Sequence, residues 1–198
     1  MTDWITQMIE DMGYLGIALL MFLENVFPPL PSEVIMPMAG FTASEGKLSL
    51  SGVLIAGTGG TLLGACFWYA VARSLGDERL KRWARKHGRW ITLSANQIDG
   101  LERRFERHSR WAIPLGHLIP GIRTLISIPA GIFGMGLSRF LFLTVLGAGI
   151  WTSALGTAGY VLGREFDEID RYLGPASTAI MAAILIVYVY RVFSFRKA

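Results

Sequence analysis

The sequence predicts an all-α integral membrane protein. Its unit is an inverted repeat of a re-entrant hairpin followed by a transmembrane helix, with an extra C-terminal transmembrane helix and interfacial amphipathic helices. Three observations carry this reading. Uncharged runs at Leu50–Ala72 (23 residues), Phe140–Gly163 (24) and Tyr172–Tyr190 (19) are each long enough to cross a hydrocarbon core of about 30 Å. Two further apolar stretches, Tyr14–Phe41 and Trp111–Met135, are interrupted by prolines, which break unbroken helix. Charge is segregated: Arg73–Arg110 holds eleven Lys/Arg against five Asp/Glu, the mark of a segment on the cytoplasmic leaflet facing anionic lipid rather than of a nucleic-acid site. The whole chain, residues 1–198, reads as one membrane domain.

The elements follow in order. Trp4, Ile5, Met8, Ile9 and Met12 share one helical face, and Asp3, Gln7, Glu10 and Asp11 take the other. That is an amphipathic helix, lying either in the membrane interface or on the rest of the chain. This acidic N-terminus lacks the basic leader of a signal peptide and reads as retained. Tyr14–Leu23 is apolar for ten residues only, about 15 Å of helix. The cluster Pro28, Pro29, Pro31 then predicts a turn back, with Glu24 and Glu33 beside it. The Gly-rich run Leu50–Ala72 spans, permitting close helix packing and dimers. Residues 77–110 form a cytoplasmic amphipathic segment of two helices. Leu80, Trp83 and His87 share a face of the first. Ser94 and Gln97 make a capping box for the second, which buries Ile98, Leu101 and Phe105. Trp111–Met135 is the second hairpin, Phe140–Gly163 spans again, and the acidic loop 164–171 leads to a last span within 172–193.

The halves repeat. Pro31…Pro37-Met-Ala39-Gly40 matches Pro120…Pro129-Ala130-Gly131, and each hairpin precedes a Gly-rich span ending Tyr-x-x-x-Arg, at Tyr69–Arg73 and Tyr160–Arg164. The repeats cover about 14–76 and 111–165. With the basic segments inside and the acidic loop outside, the first hairpin dips in from outside and the second from inside. Opposed repeats with broken helices mark secondary transporters, whose sites lie at the repeat interface.

The second hairpin sets the chemistry. In the 25 residues Trp111–Met135 only His117 and Arg123 are ionisable, so a guanidinium sits at membrane depth, where it costs about 2.5–3.5 kcal/mol unless it faces protein or water. Where the hairpin tips meet, Glu24 and Glu33 approach His117 and Arg123. An Arg fork suits a phosphate, and carboxylates in a low-dielectric cavity can carry protons. The plain alternative is a Glu24–Arg123 ion pair that locks the hairpins. Arg73 is either a ligand or a snorkelling span-end residue, Tyr69 a ligand or an interfacial anchor, and His117 a ligand or a satisfied structural residue. His87 and His108 read as surface residues.

Several classes are excluded. A single cysteine, Cys66, allows no internal disulfide and no Cys-based metal site on its own. There is no Gly-rich nucleotide loop, nucleophile elbow or His/Glu metal spacing, so no catalytic residues, metal or cofactor are expected.

The blocks Glu24-Asn25-Val26-Phe27-Pro28-Pro29-Leu30-Pro31-Ser32-Glu33 with Pro37–Gly40, Phe105-Glu-Arg-His108, and Ile119-Pro120-Gly121-Ile122-Arg123 with Pro129-Ala130-Gly131 and Met135 resemble the DedA family, bacterial relatives of the eukaryotic VTT-domain lipid scramblases. The resemblance covers residues 14–165. It implies a multi-pass protein of the bacterial cytoplasmic (inner) membrane with paired re-entrant hairpins. Family members are linked to return of undecaprenyl phosphate across that membrane, and others to phospholipid handling, polymyxin resistance and proton-dependent transport. The family's essential acids fall on Glu24 and Glu33, and its second essential arginine on Arg123. Its first arginine falls on His117, a departure that weakens the positive charge offered to a phosphate. Ser109 replaces a usual glycine.

The expected function is therefore a proton-linked flippase for a phosphate-bearing lipid, a polyprenyl phosphate or a phospholipid. Glu24 and Glu33 would couple protons, and Arg123, His117, Glu24, Glu33, Arg73 and Tyr69 would form the substrate site. The alternative is a proton-coupled small-solute or cation antiporter serving pH or membrane-potential homeostasis. A lipid phosphatase would need a nucleophile–base pair that the sequence does not display, and a scaffold would need none of these buried charges. If His117 binds the headgroup, binding is favoured below about pH 6.5, and His117→Arg flattens that dependence.

Overall fold

The computed structural model describes residues 2–27, 32–91, 95–119 and 122–162, all helix or short connection. Seven helices occur among them: α1 (Thr2–Met12), α2 (Tyr14–Val26), α3 (Ser32–Ser44), α4 (Leu50–Ile91), α5 (Ala95–His117), α6 (Ser127–Ile132) and α7 (Leu137–Leu162). Two of them are long and apolar enough to cross a membrane, over Leu50–Gly76 and Leu137–Leu162. The spans expected at Leu50–Ala72 and Phe140–Gly163 thus lie on α4 and α7. Gly163, the acidic loop 164–171 and the C-terminal span at 172–193 fall outside the described residues, as does Ser94 of the expected capping box.

Two boundaries differ from expectation. Helix α4 continues past the apolar run to Ile91. Gly76, with φ +66°, marks the end of the apolar part, since a left-handed residue interrupts regular helix geometry. Helix α5 likewise joins the amphipathic segment to the start of the apolar stretch Trp111–Met135, running through residues 110–111 and Pro114 to His117. The change from polar to apolar composition there alters what the helix faces, not its backbone. Pro129 does not break the second arm either. It sits at the third position of α6, in the first turn, where its missing N–H forfeits no intrahelical bond.

Among the described residues there are two cores. The first gathers Ile5 and Ile9 of α1, Ile17, Leu20 and Met21 of α2, Val34, Ile35, Met36 and Ala39 of α3, and Val53 of α4. Helix α1 therefore lies on its own chain through Ile5 and Ile9, while Trp4 and Met12 of the same apolar stripe remain exposed. Lys47 ties it down at the surface by pairing with Glu10 and Glu45. The second core joins Ala65 and Tyr69 of α4, Ile113 of α5, Ala130 of α6, Met135, and Phe140 and Leu143 of α7. Phe105 packs against it and lies 5.8 Å from the Phe133 ring.

The arms interlace. Helix α2 packs on α4 and α3 on α7, while α5 packs on α7 and α6 on α4. Each proline-broken unit thus touches both spans. The close seats are glycines. A methyl added at Gly40 would stand 2.1 Å from the Gly156 carbonyl oxygen, and one at Gly131 2.4 Å from that of Tyr69. In lipid, where apolar burial drives no association between helices, such backbone contact is what helix packing uses. Gly57, Gly60 and Gly64 of α4 face Met36, Ala18 and Asn25 of the same chain, while Gly59 faces open space.

Candidate functional site

Arg123 lies in the turn segment between α5 and α6, and its side chain is 5% exposed. The sequence around it leaves little choice. Residues 122–126 form turns, with Arg123 N–H bonded to the Ile119 carbonyl (3.3 Å), so the guanidinium leaves non-helical backbone. Its Nη2 donates to Glu24 Oε1, an ion pair joining the turn segment to the last turn of α2. Its Nη1 donates to Ser32 Oγ at the start of α3. Trp151 of α7 donates from Nε1 to the same Ser32 oxygen at 3.2 Å, and its ring lies 6.0 Å from the guanidinium carbon. Four elements thus converge on one buried cation.

Glu24 is 3% exposed, and its second oxygen, Oε2, has no hydrogen-bond partner among the described residues. Glu33, next to Ser32 in the first turn of α3, is also buried. His117, 1% exposed, bonds Ile113 O through Nδ1 at 2.9 Å. A carbonyl only accepts, so Nδ1 carries the hydrogen, and Nε2 is left buried without a partner among the described residues. His117 feels the charge of Arg123 but shares no hydrogen bond with it.

Tyr69 and Arg73 form a separate cluster. Tyr69 Oη donates to the Met135 carbonyl, and Arg73 Nη1 donates to Tyr69 Oη (3.0 Å) and to Met135 O (3.1 Å). Phe140 stacks on the Tyr69 ring at 4.5 Å. These contacts fasten α4 to the segment after α6, and no hydrogen bond links them to Arg123. Of the expected site residues, the structure brings Arg123, Glu24 and Glu33 together, sets His117 near them, and gathers Tyr69 and Arg73 elsewhere. Ser109 is buried and accepts from Arg139 Nη2 at 3.2 Å. His108 is exposed.

Sequence reasoning missed Ser32 and Trp151. A signal existed for each. Ser32 follows the proline break directly and precedes Glu33, and Trp151 stands mid-run in Phe140–Gly163, whereas membrane tryptophans concentrate at the two interfaces.

An all-helical chain with two apolar spans and a buried guanidinium–carboxylate pair between them is of the class of helical membrane proteins with an internal polar site. Comparison gives the family: residues 30–161 match the VTT domain, and the chain belongs to that family, the DedA membrane proteins. An alkaline phosphatase-like protein of Lactococcus lactis subsp. cremoris is 37% identical over all of this chain and 92% of its own length. The undecaprenyl phosphate transporter A of Staphylococcus aureus is 32% identical over 96% of this chain and 94% of its own length, and that of Bacillus subtilis 32% over 98% and 93%. No solved structure matches the chain.

Proposed function

We propose that this protein carries a phosphate-bearing lipid, undecaprenyl phosphate or a related phospholipid, across the bacterial cytoplasmic membrane. Protons would be linked through Glu24 and Glu33. The observation that carries the reading is the buried Arg123. A guanidinium has five N–H donors in a planar fork, and among the described residues two are engaged, by Glu24 and Ser32. The rest remain for an acceptor-rich anion, and phosphate oxygens match the fork's geometry. The names of the two transporter relatives agree with this substrate class.

An inverted repeat of residues 14–76 and 111–165 fits the packing. A constant shift of 91 positions relates Gly40 to Gly131, Tyr69 to Tyr160 and Ser32 to Arg123. Gly40 packs beside Gly156 and the Tyr160 backbone, and Gly131 beside the Tyr69 and Arg73 backbone, as a two-fold exchange requires. Ser32 and Arg123, equivalent under the shift, bond to each other, as residues on the axis of such a repeat would. On this reading the substrate site lies at the repeat interface.

The name of the Lactococcus relative suggests a phosphatase instead. That chemistry needs a nucleophile beside a base. Ser32 is a hydroxyl at the site, and its bonds among the described residues run to Arg123 and Trp151, which accept no proton, and not to the Glu24 carboxylate. We therefore read the chain as a carrier and not an enzyme.

The test uses the full chain in liposomes holding a fluorescent polyprenyl phosphate and a trapped pH dye. A carrier moves the lipid between leaflets, faster under an imposed proton gradient, and Arg123→Gln abolishes the movement. A dye response to added salt with no lipid movement would favour an antiporter, and release of inorganic phosphate a phosphatase.

A further inference from the structure

The pairing at Ser32 has a consequence for how a headgroup is held. A serine hydroxyl offers two lone pairs and one hydrogen. Both neighbours, Arg123 Nη1 and Trp151 Nε1, are donors that cannot accept, so both lone pairs are occupied. The hydroxyl hydrogen is the one function of Ser32 left over. It stands beside a guanidinium with unused N–H groups and near a carboxylate whose Oε2 is buried without a partner. The indole also lies against the guanidinium, within the range of cation–π attraction. Trp151 belongs to α7, Ser32 to α3 and Arg123 to the turn segment, so the arrangement is tertiary throughout.

We infer that Trp151 is a positioning residue for the anionic headgroup. By filling the second lone pair of Ser32 it turns the hydroxyl hydrogen into a donor for a phosphate oxygen that Arg123 also binds. This rests on the carrier reading. Without the indole N–H, Ser32 can rotate and direct its hydrogen to Glu24 or a water, and Arg123 loses the ring behind it. Trp151 thus acts through Ser32, not by touching the ligand.

The test is a double-mutant cycle on the full chain in nanodiscs, titrated with undecaprenyl monophosphate. Trp151→Phe keeps the ring and removes the N–H. Loss of one charge-assisted contact is worth about tenfold in affinity. Trp151→Phe and Ser32→Ala each weaken binding by that order, Ser32→Thr restores it, and the double variant binds no more weakly than Ser32→Ala alone. Binding also changes tryptophan emission in the wild type, and this change is absent in Trp151→Phe. Competition by inorganic phosphate would show that the free anion suffices, and its failure would assign recognition to the lipid headgroup; either supports the positioning role. Additive losses, or an unchanged affinity in Trp151→Phe, would overturn it. Should Trp151→Phe fold poorly, the Ser32→Ala and Ser32→Thr pair carries the test, and equal affinity of those two would overturn it. Undiminished binding by Arg123→Gln would sink the carrier reading itself, a distinct result.

Discussion

Arg123→Ala should unfold this protein as well as disable it, and the two effects can be separated. The side chains of Arg123 and Glu24 are 5% and 3% exposed, so removing the cation strands a buried carboxylate already carrying one unpartnered oxygen. Breaking a buried pair from one side costs about 3–5 kcal/mol, whereas replacing both members with apolar side chains of similar volume is close to neutral. For a chain of this length each kcal/mol moves Tm by about 2–4 °C. Arg123→Ala is therefore expected to lower Tm by about 6–20 °C, and Glu24→Leu/Arg123→Met to regain most of that loss while transporting nothing. The assay is built in. Cys66, the single cysteine, packs partly buried against the second core, so a thiol-reactive dye reports unfolding in detergent. A single variant as stable as wild type, or a double variant as unstable as the single, would refute the claim that this pair is buried and mutually dependent.

Other outcomes follow from the same geometry. Gly40→Ala and Gly159→Ala each place a methyl 2.1 Å from a carbonyl oxygen, of Gly156 and Pro37, and should cost about 1–3 kcal/mol or more by overpacking. Gly59→Ala, with nothing within 4 Å, should be neutral or stabilising by up to about 1 kcal/mol in the same thiol assay. Lys47 has its ammonium pKa raised by its hydrogen bonds to Glu10 and Glu45. A raised folded-state value means its stabilisation is complete below the unfolded pKa of about 10.4 and is lost as pH rises through the higher folded value. Amide exchange from α1 should therefore accelerate at the alkaline end in wild type and show no such step in Lys47→Met. If His117 contacts the headgroup, undecaprenyl monophosphate binding strengthens as falling pH protonates the imidazole, and His117→Arg flattens the profile. An unchanged profile removes His117 from the site.

Much of the architecture was legible because membranes impose simple rules. Uncharged length identified α4 and α7, and the prolines at 28, 29 and 31 located the break between α2 and α3. The expense of a guanidinium in an apolar run singles out Arg123, and the ion pair with Glu24 that the sequence offers as the plain alternative is present in the structure. The ends of helices were harder. Helix α5 crosses the polar-to-apolar boundary at residues 110–111 without a break, because composition reports surroundings while backbone bonds report helix. Proline alone was also ambiguous: Pro37, Pro114 and Pro129 all lie within helices. Ser32 and Trp151 escaped because their role depends on α3 and α7 packing together, a contact between residues 119 positions apart. Tyr69 and Arg73 were grouped with Arg123 through the repeat, yet their hydrogen bonds go to Met135.

The interlaced arms also limit how the molecule can move. Gly40 of α3 is seated on α7, and Gly131 of α6 on α4, with backbone at near-contact distance, which leaves little room for sliding at those two seats. If the protein is the carrier proposed above, each pair travels as a block, the Thr58–Thr152 hydrogen bond of 2.8 Å joins α4 to α7 between the blocks, and a disulfide engineered there is expected to slow transport while leaving the fold intact.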